Sequence, residues 1–171
     1  MKKYYYLLLF ALMISATAQA QADWITKKLD GKILVKFPTQ PEKVVVRGID
    51  TYTSKGKDSI VYTLGVADLK ALAQLDSAML DTLKDNPQFA QGIKIGMAQN
   101  KTNYTFGDIS VSKWNTYACY TLSAIENTNK TRMQAKIILI GSKIYTLTCQ
   151  VPGKLVTTKN EVFLNSAELV R

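Results

Sequence analysis

Apolar and polar positions alternate most regularly between Thr131 and Val151, where two strand-forming runs flank Gly141-Ser142-Lys143. Successive side chains of a β-strand point to opposite faces. Met133, Ala135, Ile137 and Leu139 therefore form one apolar row, and Tyr145, Leu147, Cys149 and Val151 another. The two runs predict an antiparallel hairpin. A three-residue loop, Gly141 to Lys143, pairs Leu139 with Tyr145 and Ile137 with Leu147, and so joins both rows on one face. A two-residue turn at Gly141-Ser142 separates them. Because a slip of one residue sends a whole row to the other side, the spacing predicts the three-residue loop. Ile138, Ile140 and Ile144 then gather on the opposite face, near the hairpin tip. Three isoleucines there predict helices on both faces of the sheet, covering one fully and the other in part. An oligomer contact over that patch is the alternative.

The same period appears earlier. Trp24 to Leu29, an Asp30-Gly31 turn and Lys32 to Phe37 predict a first hairpin, with Ile33, Val35 and Phe37 pointing inward. Pro38 and Pro41 close it, since proline cannot extend a ladder. Val44 through Tyr52 predicts one strand and Ser59 to Val66 another. At Asp68 the period lengthens. Asp68 is a good N-cap, and Leu69, Leu72, Ala73, Leu80 and Leu83 predict one helix, which Asn86-Pro87 ends. Phe89, Ile93 and Met97 predict a second helix, to about Ala98. Strands return at Thr102 to Phe106, Ile109 to Lys113 and Tyr117 to Ile125. Asn160 to Leu164 predicts a short helix anchored by Val162 and Phe163, and Ala167 to Val170 an edge strand. Strands, helices, strands, helix is the order of an α+β domain with a mostly antiparallel sheet.

The N-terminus changes the picture. Lys2 and Lys3 precede an apolar run from Tyr4 through Ile14, and Ala18-Gln19-Ala20 fits a small-x-small cleavage site. This predicts a signal peptide over residues 1–20, with residues 21–171 as one exported, soluble domain that has no transmembrane span after cleavage. Without Lys2 and Lys3 the chain carries 20 basic and 13 acidic residues, a net charge of +7. These charges are scattered singly. Together with export, that argues against a nucleic-acid partner and leaves only weak attraction to anionic surfaces.

Two cysteines in an exported chain suggest a disulfide. If the Tyr117 strand pairs with the Thr131 strand, however, Cys119 and Cys149 lie on the strands either side of the latter. They are then two strand spacings apart, about 9.6 Å, beyond the roughly 7 Å that a disulfide spans. Two buried free thiols are predicted.

The chain contains no histidine. That removes the commonest general base, the Ser-His and Cys-His nucleophile pairs, and most zinc and copper sites. No phosphate-binding loop or nucleotide fingerprint is present. No cofactor and no catalytic residue are expected. Asp81 and Asp85 neighbour each other on a helix, but with Lys84 alongside they read as a solvated face. What remains is aromatic. Lys113, Trp114 and Tyr117 place a basic and two aromatic side chains in a turn-like context, the composition favoured at binding surfaces. The competing reading makes Trp114 an apolar plug at the end of the sheet.

Ile33 to Pro41, a strand followed by Phe-Pro, two residues and Pro, resembles the opening of PsbP/Mog1-like proteins. So do the Tyr62 strand running into Asp68-Leu69, Tyr145 after a glycine-containing turn, and Phe163-Leu164-Asn165-Ser166. Relatives often carry a glycine-rich turn where this chain has Trp114 to Tyr117. The resemblance implies a three-layer α/β/α sandwich around an antiparallel sheet. It implies no common chemistry: its members are accessory or binding proteins, among them a photosystem extrinsic subunit and a Ran-GTPase-binding factor. The expected function is therefore an exported, non-enzymatic protein that docks on another envelope protein. The alternative is a carrier of a small apolar or lipid ligand, held between the sheet and the Leu69 to Leu83 helix.

Overall fold

The computed structural model describes residues 24–170, so the predicted signal peptide lies outside the described residues. Among the described residues no helix is long and apolar enough to cross a membrane. The chain runs β1 (Ile25–Leu29), β2 (Ile33–Phe37), β3 (Glu42–Val46), β4 (Ile49–Lys55) and β5 (Val61–Asp68). It continues through α1 (Leu69–Ala73), α2 (Ser77–Leu83) and α3 (Pro87–Gln99) to β6 (Tyr104–Phe106), β7 (Ser110–Trp114), β8 (Tyr117–Glu126), β9 (Arg132–Ile140) and β10 (Lys143–Val151). It ends with α4 (Lys159–Leu164) and β11 (Glu168–Leu169). This is an α+β fold built on a large antiparallel sheet with few helices.

The large sheet has the order β3-β4-β5-β10-β9-β8-β6, with β7 also paired to β8, and a small sheet has the order β1-β2-β11. Every pairing is antiparallel. As expected, β9 lies between β8 and β10.

The central hairpin departs from its prediction. Ile140 pairs with Lys143 and Leu139 with Ile144, so the turn holds two residues, not three. Gly141 sits at φ +60° and Ser142 has no positive φ, the glycine-first pattern of a type II′ turn. The two apolar rows consequently lie on opposite faces. Tyr145, Leu147, Cys149 and Val151 join Ile138 and Ile140, and pack with Ile33, Val35, Phe37 and Phe163. Ala135, Ile137 and Leu139 join Tyr120 and Leu122 against Leu80 and Ala90, with Ile144, Phe89, Ile93 and Met97 at the margin. The three isoleucines are therefore split, Ile144 lying on the other face from Ile138 and Ile140. Putting both rows on one face left only partial cover expected over the other; here both faces have a core. Helices alone do not supply the cover. Over the Tyr145 row it comes largely from β1 and β2, with Phe163 of α4.

Two other elements are divided. The predicted strand from Val44 to Tyr52 turns back at Arg47-Gly48, both in the left-handed region (φ 52° and 77°), which pairs Val46 with Ile49. The predicted Leu69 to Leu83 helix ends at Gln74 (φ 57°). It restarts where the Asp76 side chain accepts from Met79 N at 2.9 Å. A second good N-cap inside the stripe outweighs its continuity, and Leu72 is left about half exposed, at 47 %. Asn86 caps α3, with Pro87 in its first turn.

Candidate functional site

β7 and β8 form a hairpin at the sheet margin, where Trp114 pairs directly with Tyr117 across Asn115-Thr116. Asn115 takes φ 53°, a left-handed conformation that asparagine tolerates better than most residues. Directly paired residues share a face, so the two rings stand together, 6.4 Å between centroids and tilted by 32°. Both are half-buried and pack against the Tyr145-row core. Lys113 pairs with Ala118 instead, whose side chain belongs to the core on the helical face. The structure brings Trp114 and Tyr117 together and turns Lys113 away from them. Trp114 packs against the core as the plug reading expects, but remains partly exposed.

Beside Trp114 opens a cleft of about 770 Å³, lined by Leu34, Trp114, Asn115, Ala167, Glu168, Leu169 and Val170. Its other wall is β11, the outer strand of the small sheet, held to β2 by Glu168–Leu34 and Leu169–Ile33 pairing. A hydrogen bond from Val170 N to Lys32 O (2.9 Å) continues that attachment. Beyond β11 the small sheet has no further strand among the described residues. The β11 residues were predicted as an edge strand, but their place beside Trp114 follows from long-range topology that no local pattern encodes.

Several other ionisable groups make intramolecular contacts. Asp81 pairs with Lys84 at 2.5 Å, and Asp81 is well exposed, as its position predicted. Tyr145 Oη donates to Asp30 at 2.8 Å, and Lys143 Nζ meets the same carboxylate at 2.7 Å. Cys119 and Cys149 are free and buried, as predicted. Cys119 faces Ile138 while Cys149 faces Gln134 across β9. Four residues of stagger are thus added to two strand spacings, for a separation of roughly 16 Å. Burial pushes both thiols up, Cys149 to about 12, so neither is a ready nucleophile. Among the described residues no group of three or more His, Cys, Asp and Glu side chains is placed to hold a metal ion.

The backbone is similar to that of cyanobacterial PsbP from Synechocystis, with a TM-score of 0.55 and 10% identity, covering 86% of this chain and 93% of that one. It is also similar to a Pseudomonas aeruginosa protein of unknown function described as a putative regulator (TM-score 0.40, 8% identity, 77% of this chain and 84% of that one). A protein from Bacteroides thetaiotaomicron aligns at TM-score 0.45 and 12% identity, over 88% of this chain and 49% of that one. No family model matches the chain, and no characterised protein matches it by sequence. The chain has a PsbP-like fold.

Proposed function

We propose that this protein is an exported, non-catalytic accessory protein that docks on another protein of the cell envelope. The observation that carries this reading is the half-exposed Trp114, paired with Tyr117, standing beside the outer strand β11. An extended segment of a partner gains main-chain hydrogen bonds by adding to such an edge, and side-chain pockets supply its specificity. Trp114 is suited to be the anchor, since tryptophan and tyrosine dominate interface energetics. The PsbP-like fold supports a binding role over a catalytic one. On this reading the molecule is layered, α1 to α3 on one side of the large sheet and the small sheet with α4 on the other.

The alternative, an apolar ligand between the sheet and α1–α2, has less in its favour, because Leu80, Tyr120, Ala135 and Leu139 occupy the space beneath α2 as packed core.

A photo-crosslinking residue in place of Asn115 tests the proposal in cells. The expected result is a discrete adduct with one envelope protein. Trp114→Ala should weaken binding to that protein by about thirtyfold, the measure of a 2 kcal/mol hot spot, with thermal melting showing that the variant still folds. No adduct, or an adduct insensitive to Trp114→Ala, overturns it.

A further inference from the structure

A second cleft, of about 330 Å³, lies at the far side of the small sheet, lined by Trp24, Pro38, Thr39, Gly56, Lys57, Asp58, Tyr62 and Lys159. Its volume is at the lower end for small-molecule sites. Three buried tyrosines anchor the two cores, and two of them have a hydroxyl partner: Tyr145 donates to Asp30 and Tyr120 to Lys84 O. Tyr62, equally buried, has none among the described residues. Leaving a buried hydroxyl unsatisfied costs about 1–3 kcal/mol, whereas phenylalanine would fill the same space without that cost. The hydroxyl end of the ring lies toward the Gly56–Asp58 turn that lines the cleft, since a Cβ added to Gly56 would lie 3.4 Å from Tyr62 Cε2, while the oxygen itself is buried. Burial, reinforced by the nearby Asp58, holds the phenol protonated far above its usual range, so it enters any contact as an O–H donor.

The surroundings define what such a donor would meet. Asp58 is already neutralised, by Lys159 Nζ at 2.7 Å and by Ile60 N at 3.3 Å. Lys57 on the exposed rim then tips the local balance positive. The Trp24 ring, edge-on to Tyr62 at 5.6 Å, and the Pro38 ring supply apolar walls.

We propose that this cleft binds a small ring-bearing carboxylate, with its ring against Trp24, its carboxylate at Lys57 and a further oxygen accepting from Tyr62 Oη. Because the oxygen is buried, binding on this proposal requires a wall side chain to turn, and Trp24, edge-on to Tyr62, is the one placed to do so; side-chain rotation of this kind is common on complex formation. The ligand chemistry has two sources, a sugar acid or an aromatic acid, and the test separates them.

Nitrogen-15 labelled protein is titrated with sodium glucuronate and, separately, with sodium 4-hydroxybenzoate, following the Trp24 indole N–H signal; Trp114→Phe assigns it. The expected result is a saturable Trp24 shift with one or both acids, identifying the source. Tyr62→Phe removes only the unpartnered oxygen, so it keeps the fold and should bind about tenfold more weakly. Lys57→Gln, a rim substitution, should weaken binding and reduce its sensitivity to salt. Absence of a saturable shift with both acids overturns the proposal. So does binding by Tyr62→Phe equal to that of the unsubstituted protein, or equal binding of glucose and phenol in place of the two acids. The Trp114 cleft takes no part in this readout, so docking and ligand binding stand or fall separately.

Discussion

At the scale of single residues, the cores hold several groups that are stable only while protonated. Burial raises Cys149 to about 12 from an ordinary value near 9.0, and raises Tyr120 to about 12 from 10.0. Burial also raises Tyr145, reinforced by its hydrogen bond to Asp30. A group whose folded value lies above its unfolded value contributes stability that is fully present below the unfolded value. That contribution is lost as pH rises through the folded one. Thermal unfolding should therefore show no contribution from these groups to any pH dependence between 7 and about 9, and a falling midpoint from there toward 12. In the native protein both thiols should resist alkylation, and in urea both should react without prior reduction. The distance argument for free thiols was available from the sequence because strand order follows from neighbouring hairpins. The unpartnered hydroxyl of Tyr62 was not, because whether a buried tyrosine finds an acceptor depends on what the fold brings to it.

Among the elements, the β9–β10 turn shows where sequence pattern misleads. Two apolar rows seemed to demand a common face, yet the glycine-first turn separates them and the fold buries each. The same separation explains why Ile138 and Ile140 share a core with Tyr145 while Ile144 does not. A Cβ at Gly141 meets only ordinary contacts, Ser77 Oγ at 3.5 Å and Lys32 Nζ at 3.7 Å. The penalty of Gly141→Ala is thus conformational, set by φ +60°, and should be about 1–2 kcal/mol, read from the urea midpoint with an unchanged slope. The split helix teaches a related lesson. Leu69 and Leu80 both face a core as their spacing suggests, but Asp76 starts a new helix between them, and a cap is a local competitor that an apolar stripe does not reveal. Strand existence was legible for β1, β2, β8, β9, β10 and β11, and order for the β1–β2 hairpin and for β8, β9 and β10, but not the pairing of β11 with β2. The break at Arg47-Gly48 was not given weight, although two adjacent left-handed residues need a turn.

Across the whole molecule, the two candidate clefts lie where residues around the small sheet meet those of the large one. The large sheet ends at β3, whose five residues are all exposed, Val44, Val45 and Val46 included. Pro41 just before it and Lys43 within it are the features that discourage edge-to-edge pairing. Most of the protein is packed core, and both proposed binding sites lie at the margins of the small sheet. That division accounts for what the sequence could convey. Cores leave periodic traces; a cleft between the Trp114 turn and β11 joins segments distant in the chain and leaves none.

The attachment of β11 has a consequence in time. β8, β9 and β10 follow one another as neighbours and can form as soon as that stretch is available, whereas β2 waits for β11, more than a hundred residues later in the sequence. Distant pairings form late because loop closure precedes any return from contact. Pulsed hydrogen exchange during refolding should protect β8 to β10 first, and Leu34 with Glu168 last. The wall of the Trp114 cleft is then the final part of the molecule to exist. A partner that needs it would recognise only chains that have finished folding.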